Sequence, residues 1–229
     1  MKKLAIIVAG GSGHRMKSDI PKQFLPLKGI PIVMRSLQTF YDYDKNMPLY
    51  LVIPESYIDY WEALCNEYKF NIPHQVVAGG ETRYHSVRNA VMKLKGDSLV
   101  AIHDAVRPLV NHTTLETCFL SAATKGNVVP SLEPVDSFRQ FRNNRNFPVN
   151  RHSLRIIQTP QVFHSDQLKN AYDQPFMPAF TDDANVIERL GYEINLVEGN
   201  RENMKITGPQ DIKLAEAFLS LMETEKLKQ

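Results

Sequence analysis

Apolar positions along the chain follow two alternating rhythms. Leu4-Ala5-Ile6-Ile7-Val8-Ala9 is a continuous apolar run rich in β-branched residues, the pattern of a strand buried on both faces of a parallel sheet. Beyond it Ile30, Val33, Met34, Leu37 and Phe40 recur at helical spacing, with Pro31 suited to a first helical position. Leu49 to Ile53 predicts a second strand, closed by Pro54. Tyr57, Ile58, Trp61, Leu64, Cys65 and Tyr68 then mark an amphipathic helix. Gln75 to Ala78 predicts a third strand, running into Gly79-Gly80. A helix from about Tyr84 to Lys95 carries Val87, Ala90, Val91 and Leu94 on one face, and Ser98 to Ile102 predicts a fourth strand ending in His103-Asp104. Strands alternating with helices in this way predict an α/β fold: a mostly parallel, twisted sheet with helices on both faces. The strand ends then gather along one edge, where ligands bind.

The rhythm breaks between about Pro134 and Gln158. This stretch holds Arg139, Arg142, Arg145, Arg151 and Arg155, turn chemistry at Asn143-Asn144, and too few apolar residues for a core layer. It predicts a projecting hairpin-like arm, a feature suited to packing on a partner subunit. Further on, Ser165 and Thr181 are expected as N-caps of two short helices, the second ended by Gly191. Glu193 to Val197 and Met204 to Thr207 predict late strands, and Pro209 to Met222 a final amphipathic helix.

The 229 residues suit a single domain, 1–229, with the arm as an appendage. A formal net charge of +2 gives no reason to expect a nucleic-acid partner, so anion binding must come from local placement of cations. Cys65 and Cys118 lack metal-ligand spacing and sit in apolar helical patterns, which predicts buried free thiols. Met1-Lys2-Lys3 and the few apolar residues after it are too short for a signal peptide, and no apolar run reaches membrane-spanning length. A cytoplasmic protein without a membrane partner is expected.

Candidate chemistry begins directly after the first strand. Gly10-Gly11-Ser12-Gly13-His14-Arg15-Met16, with Pro21-Lys22-Gln23 close behind, combines a glycine turn with two cations. Glycines let backbone N–H groups approach and cradle a phosphate. Met16 stands where both the dinucleotide fingerprint and the Walker loop require glycine, and Pro21 forbids an uninterrupted helix. The loop is a phosphate site of another kind, or a tight turn without a ligand. Gly79-Gly80-Glu81-Thr82-Arg83 with Ser86 is a second glycine turn entering a helix, able to read a base edge or ribose, or simply a packing turn. Asp104, at the end of the fourth strand, is a natural Mg²⁺ ligand, or else half of a structural pair with Arg107. Lys205 lies in an otherwise apolar strand, a costly position unless it faces a cleft or a partner. No Ser-His-Asp, Cys-His or paired-His arrangement stands out, and His103 is assigned no role. Cations, glycine turns and one carboxylate suit phosphoryl or nucleotidyl transfer, where catalysis is mostly positioning and charge neutralisation.

Taken together, these stretches resemble the 2-C-methyl-D-erythritol 4-phosphate cytidylyltransferases. Val149-Asn150-Arg151, Gln158-Thr159-Pro160-Gln161, Thr181-Asp182-Asp183-Ala184, Val197-Glu198-Gly199 and Asn203-Met204-Lys205-Ile206-Thr207 complete the pattern in the family's order. The resemblance implies a Rossmann-like three-layer nucleotidyltransferase fold, and a homodimer whose arm reaches the neighbouring site. It implies CTP held around Ala9, Gly10, Gly11, Gly13, Arg15, Lys22, Gly80, Glu81, Arg83, Ser86, Ala105 and Lys205, with Mg²⁺ at the triphosphate and Asp104 as its protein ligand. Arg15, Lys22, Arg151 and Lys205 take the catalytic roles. Ser137, Arg151, Thr181 and Lys205 hold the methylerythritol phosphate. Two departures stand out: Asp136-Ser137-Phe138-Arg139 where the family has Asp-Thr, an apolar residue and Lys, and Asn150 where Asp is common. The related ribitol 5-phosphate cytidylyltransferases share the first loop and His103 to Pro108, but Arg151 to Phe163 looks more like the methylerythritol enzymes. A catalytically silent nucleotide-binding regulator is the alternative from another class, disfavoured by intact Arg15, Lys22, Asp104 and Lys205.

Overall fold

The protein is described by a computed structural model covering residues 1–10 and 20–226. Its first strand, β1 (Lys2–Val8), lies inside the sheet, which explains its unbroken apolar run. Leu4, Ile6 and Val8 pack into one core and Ala5, Ile7 and Ala9 into the other. A two-residue antiparallel pair, β2 (Pro26–Leu27) and β3 (Ile30–Pro31), leads into α1 (Ile32–Tyr43). Pro31 is therefore the N-cap rather than the first helical residue. There follow β4 (Leu49–Ile53), α2 (Ile58–Glu67), β5 (Gln75–Ala78), α3 (Arg83–Val91), β6 (Ser98–Asp104), α4 (His112–Lys125) and β7 (Val128–Leu132). The arm is β8 (Phe138–Arg142) with β9 (Arg145–Val149). The chain returns through β10 (Ile156–Ile157), β11 (Gln161–His164), α5 (Ser165–Asp173), α6 (Asp183–Glu188), β12 (Asn195–Glu198) and α7 (Pro209–Lys226).

Strand order in the eight-stranded sheet is β10-β7-β11-β6-β1-β4-β5, with β12 also pairing β7. β5, β4, β1 and β6 are parallel neighbours, with Ala5 opposite Leu49 on β4 and Ala101 on β6. β11 enters antiparallel between β6 and β7, so the sheet is mixed but mostly parallel. One face is covered by α1, α2 and α4 around Leu37, Phe40, Trp61 and Phe119. The other carries α3, α5 and α6 around Val87, Leu168, Tyr172 and Ile187. This is the three-layer α/β architecture expected from the alternating pattern. A smaller cluster of Leu27, Ile32, Val106, Leu109, Ile206 and Ala215 seats α7. Among the described residues no helix is long and apolar enough to cross a membrane.

β10 and β11 pair with opposite ends of β7, and the strand is broken between them at Gln158–Pro160. Opposite the gap stands Pro130 of β7, which has no N–H to lose, while its carbonyl accepts from Gln158 N at 2.9 Å. That break frees the Thr159 side chain to meet the end of β6 and the Gln158 side chain to meet Asn200 and Asn203.

Several sequence expectations change. α5 begins on Ser165 itself, whose hydroxyl accepts from Ser98 N and donates to Gly96 O, tying the helix to the start of β6. The cap of α6 is Asp182, not Thr181: its carboxylate accepts from Asn185 N at 3.0 Å. Met204 to Thr207 is not a strand; its backbone joins the body through Ile206 N to Val106 O, 2.9 Å. The arm is shorter than 134–158, because Ile156 and Ile157 belong to the main sheet. Asn143 and Asn144 both take positive φ (49° and 57°), as a tight hairpin turn demands. Cys118 is buried as expected, whereas Cys65 is only partly so.

Phe163 on β11 is fully buried where α5 meets the sheet. Phe163→Ala is expected to cost about 3–5 kcal/mol, read as a lower urea midpoint with an unchanged slope.

Candidate functional site

The C-terminal ends of β1, β5 and β6 converge on one carboxylate. Asp104, the last residue of β6, is buried and takes Lys205 Nζ on Oδ2 at 2.7 Å and Arg83 Nε on Oδ1 at 3.3 Å. Arg107 Nε lies 3.8 Å from Oδ2. Burial alone would raise the Asp104 pKa; the three cations, Arg83 and Lys205 foremost, hold it well below the usual carboxylate range. It is therefore a fixed anion ringed by three cations.

Each cation is placed by different elements. Arg83, at the start of α3, spreads its fork across both oxygens of Asp183, Nη1 to Oδ1 at 2.8 Å and Nη2 to Oδ2 at 2.6 Å. Burial would lower the Arg83 pKa, but the Asp183 and Asp104 carboxylates raise it well above its ordinary value. Arg107 Nη1 donates to Asn203 O at 2.8 Å, and Asn203 Nδ2 donates to Thr159 O at 2.8 Å. Gln158 Nε2 adds a bond to Asn200 O at 2.9 Å. These side chains fix the irregular 203–206 segment that carries Lys205, without a β-ladder. Lys22, mostly buried in a 3₁₀ turn, donates from Nζ to Ile206 O at 3.1 Å, so the two lysines flank one short stretch. Gln23 Nε2 donates to Ala9 O at 2.6 Å and ties the same turn to the end of β1.

His103 sits one residue before Asp104, fully buried against Phe40. Its Nε2 is 3.0 Å from Arg107 O, which can only accept, so that nitrogen carries the proton. Nδ1 then accepts from the Thr159 hydroxyl at 3.1 Å, and the same hydroxyl oxygen accepts from Asp104 N at 3.1 Å. Burial lowers the His103 pKa to about 4. The histidine is a neutral strut, in keeping with the sequence reading that gave it no chemistry.

The second glycine turn closes on Ser86. The Ser86 hydroxyl accepts from Gly80 N at 3.1 Å and donates to Thr82 O at 2.9 Å. A Cβ at Gly10 or Gly79 would stand 3.1 Å from Ser86 Oγ, and one at Gly80 only 2.5 Å from His85 Cβ. Close approach thus requires glycine at Gly80 and makes a tight fit at Gly10 and Gly79, and the hydroxyl is engaged in holding the turn. Ala105 is buried, its N–H donating to Val8 O at 2.9 Å and its carbonyl accepting from Ser36 Oγ at 2.7 Å. Ala9 donates to Val52 O at 2.8 Å. Glu81 is exposed beside the turn. Thr181 is exposed, its hydroxyl bonded to Asn185 Oδ1 at 2.5 Å. Ser137 and Arg151 lie exposed at the base of the arm, where Arg151 Nη1 donates to Val135 O at 2.5 Å. Gly11, Gly13 and Arg15 fall outside the described residues.

So Lys22, Arg83, Asp104 and Lys205 come together as expected from the sequence, next to Gly10, Gly80 and Ser86. Ser137 and Arg151 are held elsewhere, by the arm. Sequence reasoning gave no role to Gln158, Thr159, Asn203, Tyr172 or Asp183. The available signal was polar residues in stretches that otherwise pack.

A family model described as 2-C-methyl-D-erythritol 4-phosphate cytidylyltransferase matches residues 3–221. A relative from Bacteroides fragilis with the same description is 47% identical over 219 residues, covering 96% of this chain and 100% of that one. Among solved structures, a 4-diphosphocytidyl-2C-methyl-D-erythritol synthase from Anaerococcus prevotii superposes with a TM-score of 0.81 at 26% identity, covering 96% of each chain. A 2-C-methyl-D-erythritol 4-phosphate cytidylyltransferase from Francisella tularensis gives 0.79 at 28%, covering 94% of this chain and 98% of that one.

The His103 shift has a definite pH consequence. Its folded pKa, about 4, lies below the ordinary 6.5, so the unfolded chain binds the extra proton. The contribution is fully present above about pH 6.5 and is lost as pH falls toward 4. Urea unfolding is expected to lose on the order of 2 kcal/mol between pH 7 and 4.5, with a flatter dependence in His103→Gln.

Proposed function

The chain belongs to the 2-C-methyl-D-erythritol 4-phosphate cytidylyltransferase family, and on that premise we propose that the cation-ringed cleft around Asp104 is its catalytic centre. The reaction transfers the cytidylyl group of CTP to 2-C-methyl-D-erythritol 4-phosphate in isoprenoid precursor synthesis. A phosphate oxygen of the acceptor forms a bond to the α-phosphorus as the bond to pyrophosphate breaks. That oxygen is largely ionised at neutral pH, since its second pKa is about 6, so no general base is required. The difficulty is bringing two anions together in line, and fixed cations offset that repulsion.

One observation carries the assignment: Lys205 Nζ is held on Asp104 at 2.7 Å while its side chain remains 41% exposed, beside Lys22 on Ile206 O. A lysine parked on a carboxylate but open to solvent is able to turn onto an arriving phosphate. Lys22, Lys205 and Arg15 are assigned to the charge on the reacting phosphates. Arg107 Nε, buried without a hydrogen-bond partner among the described residues, is a further donor for that cleft. Gly10, Gly11, Gly13, Gly80, Glu81, Ser86 and Ala105 are assigned to the nucleotide, and Thr181 to the acceptor.

Mg²⁺ belongs to the same proposal. Among the described residues no three His, Cys, Asp or Glu side chains gather into a metal site. A Mg²⁺ ion needs only one or two carboxylates when substrate phosphates supply the remaining oxygens. Asp104, held ionised, fits as that single protein ligand if Lys205 yields Oδ2. When bound, the ion would neutralise triphosphate charge.

The arm is assigned to a homodimer contact. Phe138, Phe141 and Phe147 are 40%, 72% and 48% exposed on a two-stranded hairpin, a structure only marginally stable alone. Pairing would cover them and carry Ser137 and Arg151 to the neighbouring cleft. A cytoplasmic location is proposed with it, because neither charged substrate crosses a bilayer unaided; cell fractionation checks this.

Pyrophosphate release from CTP is expected with methylerythritol phosphate, poorly with ribitol 5-phosphate, and to stop on chelation until Mg²⁺ is restored. Lys22→Ala and Lys205→Ala are each expected to fold and to lose about 10²–10³-fold in kcat. Wild-type turnover in Lys205→Ala would refute the cleft, and no turnover with any acceptor would favour a silent nucleotide-binding regulator. Replacing residues 138–149 by a short Gly-Ser linker is expected to yield monomers in sedimentation; an unchanged dimer would remove the arm's role.

A further inference from the structure

Asp183 bonds both Tyr172 and Arg83, and Arg83 in turn bonds Asp104. Asp183 is fully buried at the start of α6, and Tyr172 is fully buried at the end of α5. The Tyr172 hydroxyl donates to Asp183 Oδ1 at 2.5 Å, and its ring stacks on Tyr84 with centroids 5.0 Å apart. Burial and the neighbouring carboxylate push the Tyr172 phenol well above its ordinary value, so it remains a donor. Both oxygens of Asp183 are thereby occupied: Oδ1 by Tyr172 and Arg83 Nη1, Oδ2 by Arg83 Nη2.

The geometry of the guanidinium turns this into a constraint on the cleft. With Nη1 and Nη2 each giving one N–H to Asp183, Arg83 meets Asp104 through Nε, which reaches Oδ1 at 3.3 Å. Oδ2 stays available for Lys205, at 2.7 Å. An arginine fork prefers two parallel bonds to one carboxylate. Deprived of Asp183, the Arg83 fork would have Asp104 as its nearest carboxylate, and bidentate pairing there would bring a second cation onto Oδ2 in competition with Lys205.

We propose that Asp183 and Tyr172 form a buried anchor that positions Arg83, holds its fork off Asp104, and so keeps one Asp104 oxygen as the seat of Lys205. Both are positioning residues, acting through Arg83 and Asp104. Arg83, expected from the sequence to contact nucleotide, becomes the link between anchor and cleft. The proposal rests on the cleft reading given above, in which Lys205 meets the reacting phosphates.

Asp183→Asn and Tyr172→Phe, each alone and combined with Lys205→Ala, test it by steady-state kinetics with CTP and methylerythritol phosphate. Asp183→Asn is expected to lower kcat on the order of 10²-fold with a much smaller change in KM for CTP. In the Lys205→Ala background the same substitution is expected to remove little more, because residues acting through one group are not additive. Tyr172→Phe, which keeps the ion pair, is expected to act in the same direction but less, and its own cycle decides the matter if Asp183→Asn fails to fold. An equal loss in both backgrounds, the mark of a merely structural role, overturns the anchor alone. So does undiminished kcat in the single variants. A wild-type rate in Lys205→Ala overturns the cleft reading, and the anchor with it.

Discussion

A single buried carboxylate surrounded by three cations is the constraint on which the rest of the site depends. Taking Asp104 out of water is costly, and a buried anion is tolerated only when its partners are close and well aimed. Replacing such a group with packed apolar residues often costs a fold nothing, so its presence at the end of the central strand is better explained by use than by stability. Here the use is a surplus of positive charge. Arg83, Arg107 and Lys205 are drawn toward Asp104, which keeps them together while no substrate is present. In the proposed reaction, an incoming polyphosphate would meet cations already gathered and ordered.

Holding that arrangement falls to neutral polar groups more than to ion pairs. Thr159 links Asp104 N to His103, and His103 reaches on to Arg107 O. Asn203 and Gln158 clamp the segment bearing Lys205. All of these side chains except Arg107 are buried, and buried hydrogen bonds in a low-dielectric interior leave little freedom to the groups they join. The gap in the strand at Gln158–Pro160 is what releases them from the ladder, so a local defect in the sheet supplies the scaffold of the site. The arm obeys a different logic. Its residues are exposed on both faces, and its three phenylalanines remain 40% to 72% exposed.

The first strands were legible in the sequence because each is a short, mostly apolar run. β1, β4 and β5 carry that signal locally, and the structure reproduces their expected positions closely. β7 and β11 were not singled out. Val128 to Leu132 contains a proline, and Gln161 to His164 is short and follows another. Only pairing across the sheet makes strands of them. Met204 to Thr207 misled in the opposite sense: Ile206 is buried, but by a backbone bond to Val106 and the α7 cluster rather than by a ladder. Thr181 and Ser165 fit the capping preference, yet the caps fell one residue away, at Asp182 and His164. Single-residue boundaries depend on side-chain competition that periodicity does not record.

Residue types and their order determined the inventory: two glycine turns, Lys22 and Lys205, Asp104 at a strand end, and the α/β alternation that brings such ends to one edge. That much is local, since glycine, proline and charge announce themselves wherever they stand. Tertiary structure alone decided the partnerships. Asp104 and Lys205 are 101 residues apart, and Arg83 and Asp183 are 100 apart. No spacing rule marks Asp183 rather than Asp182 as the buried partner. Hydrogen bonding between distant segments depends on which side chains share a desolvated space, and that space exists only once the sheet and its two helical layers have closed around it.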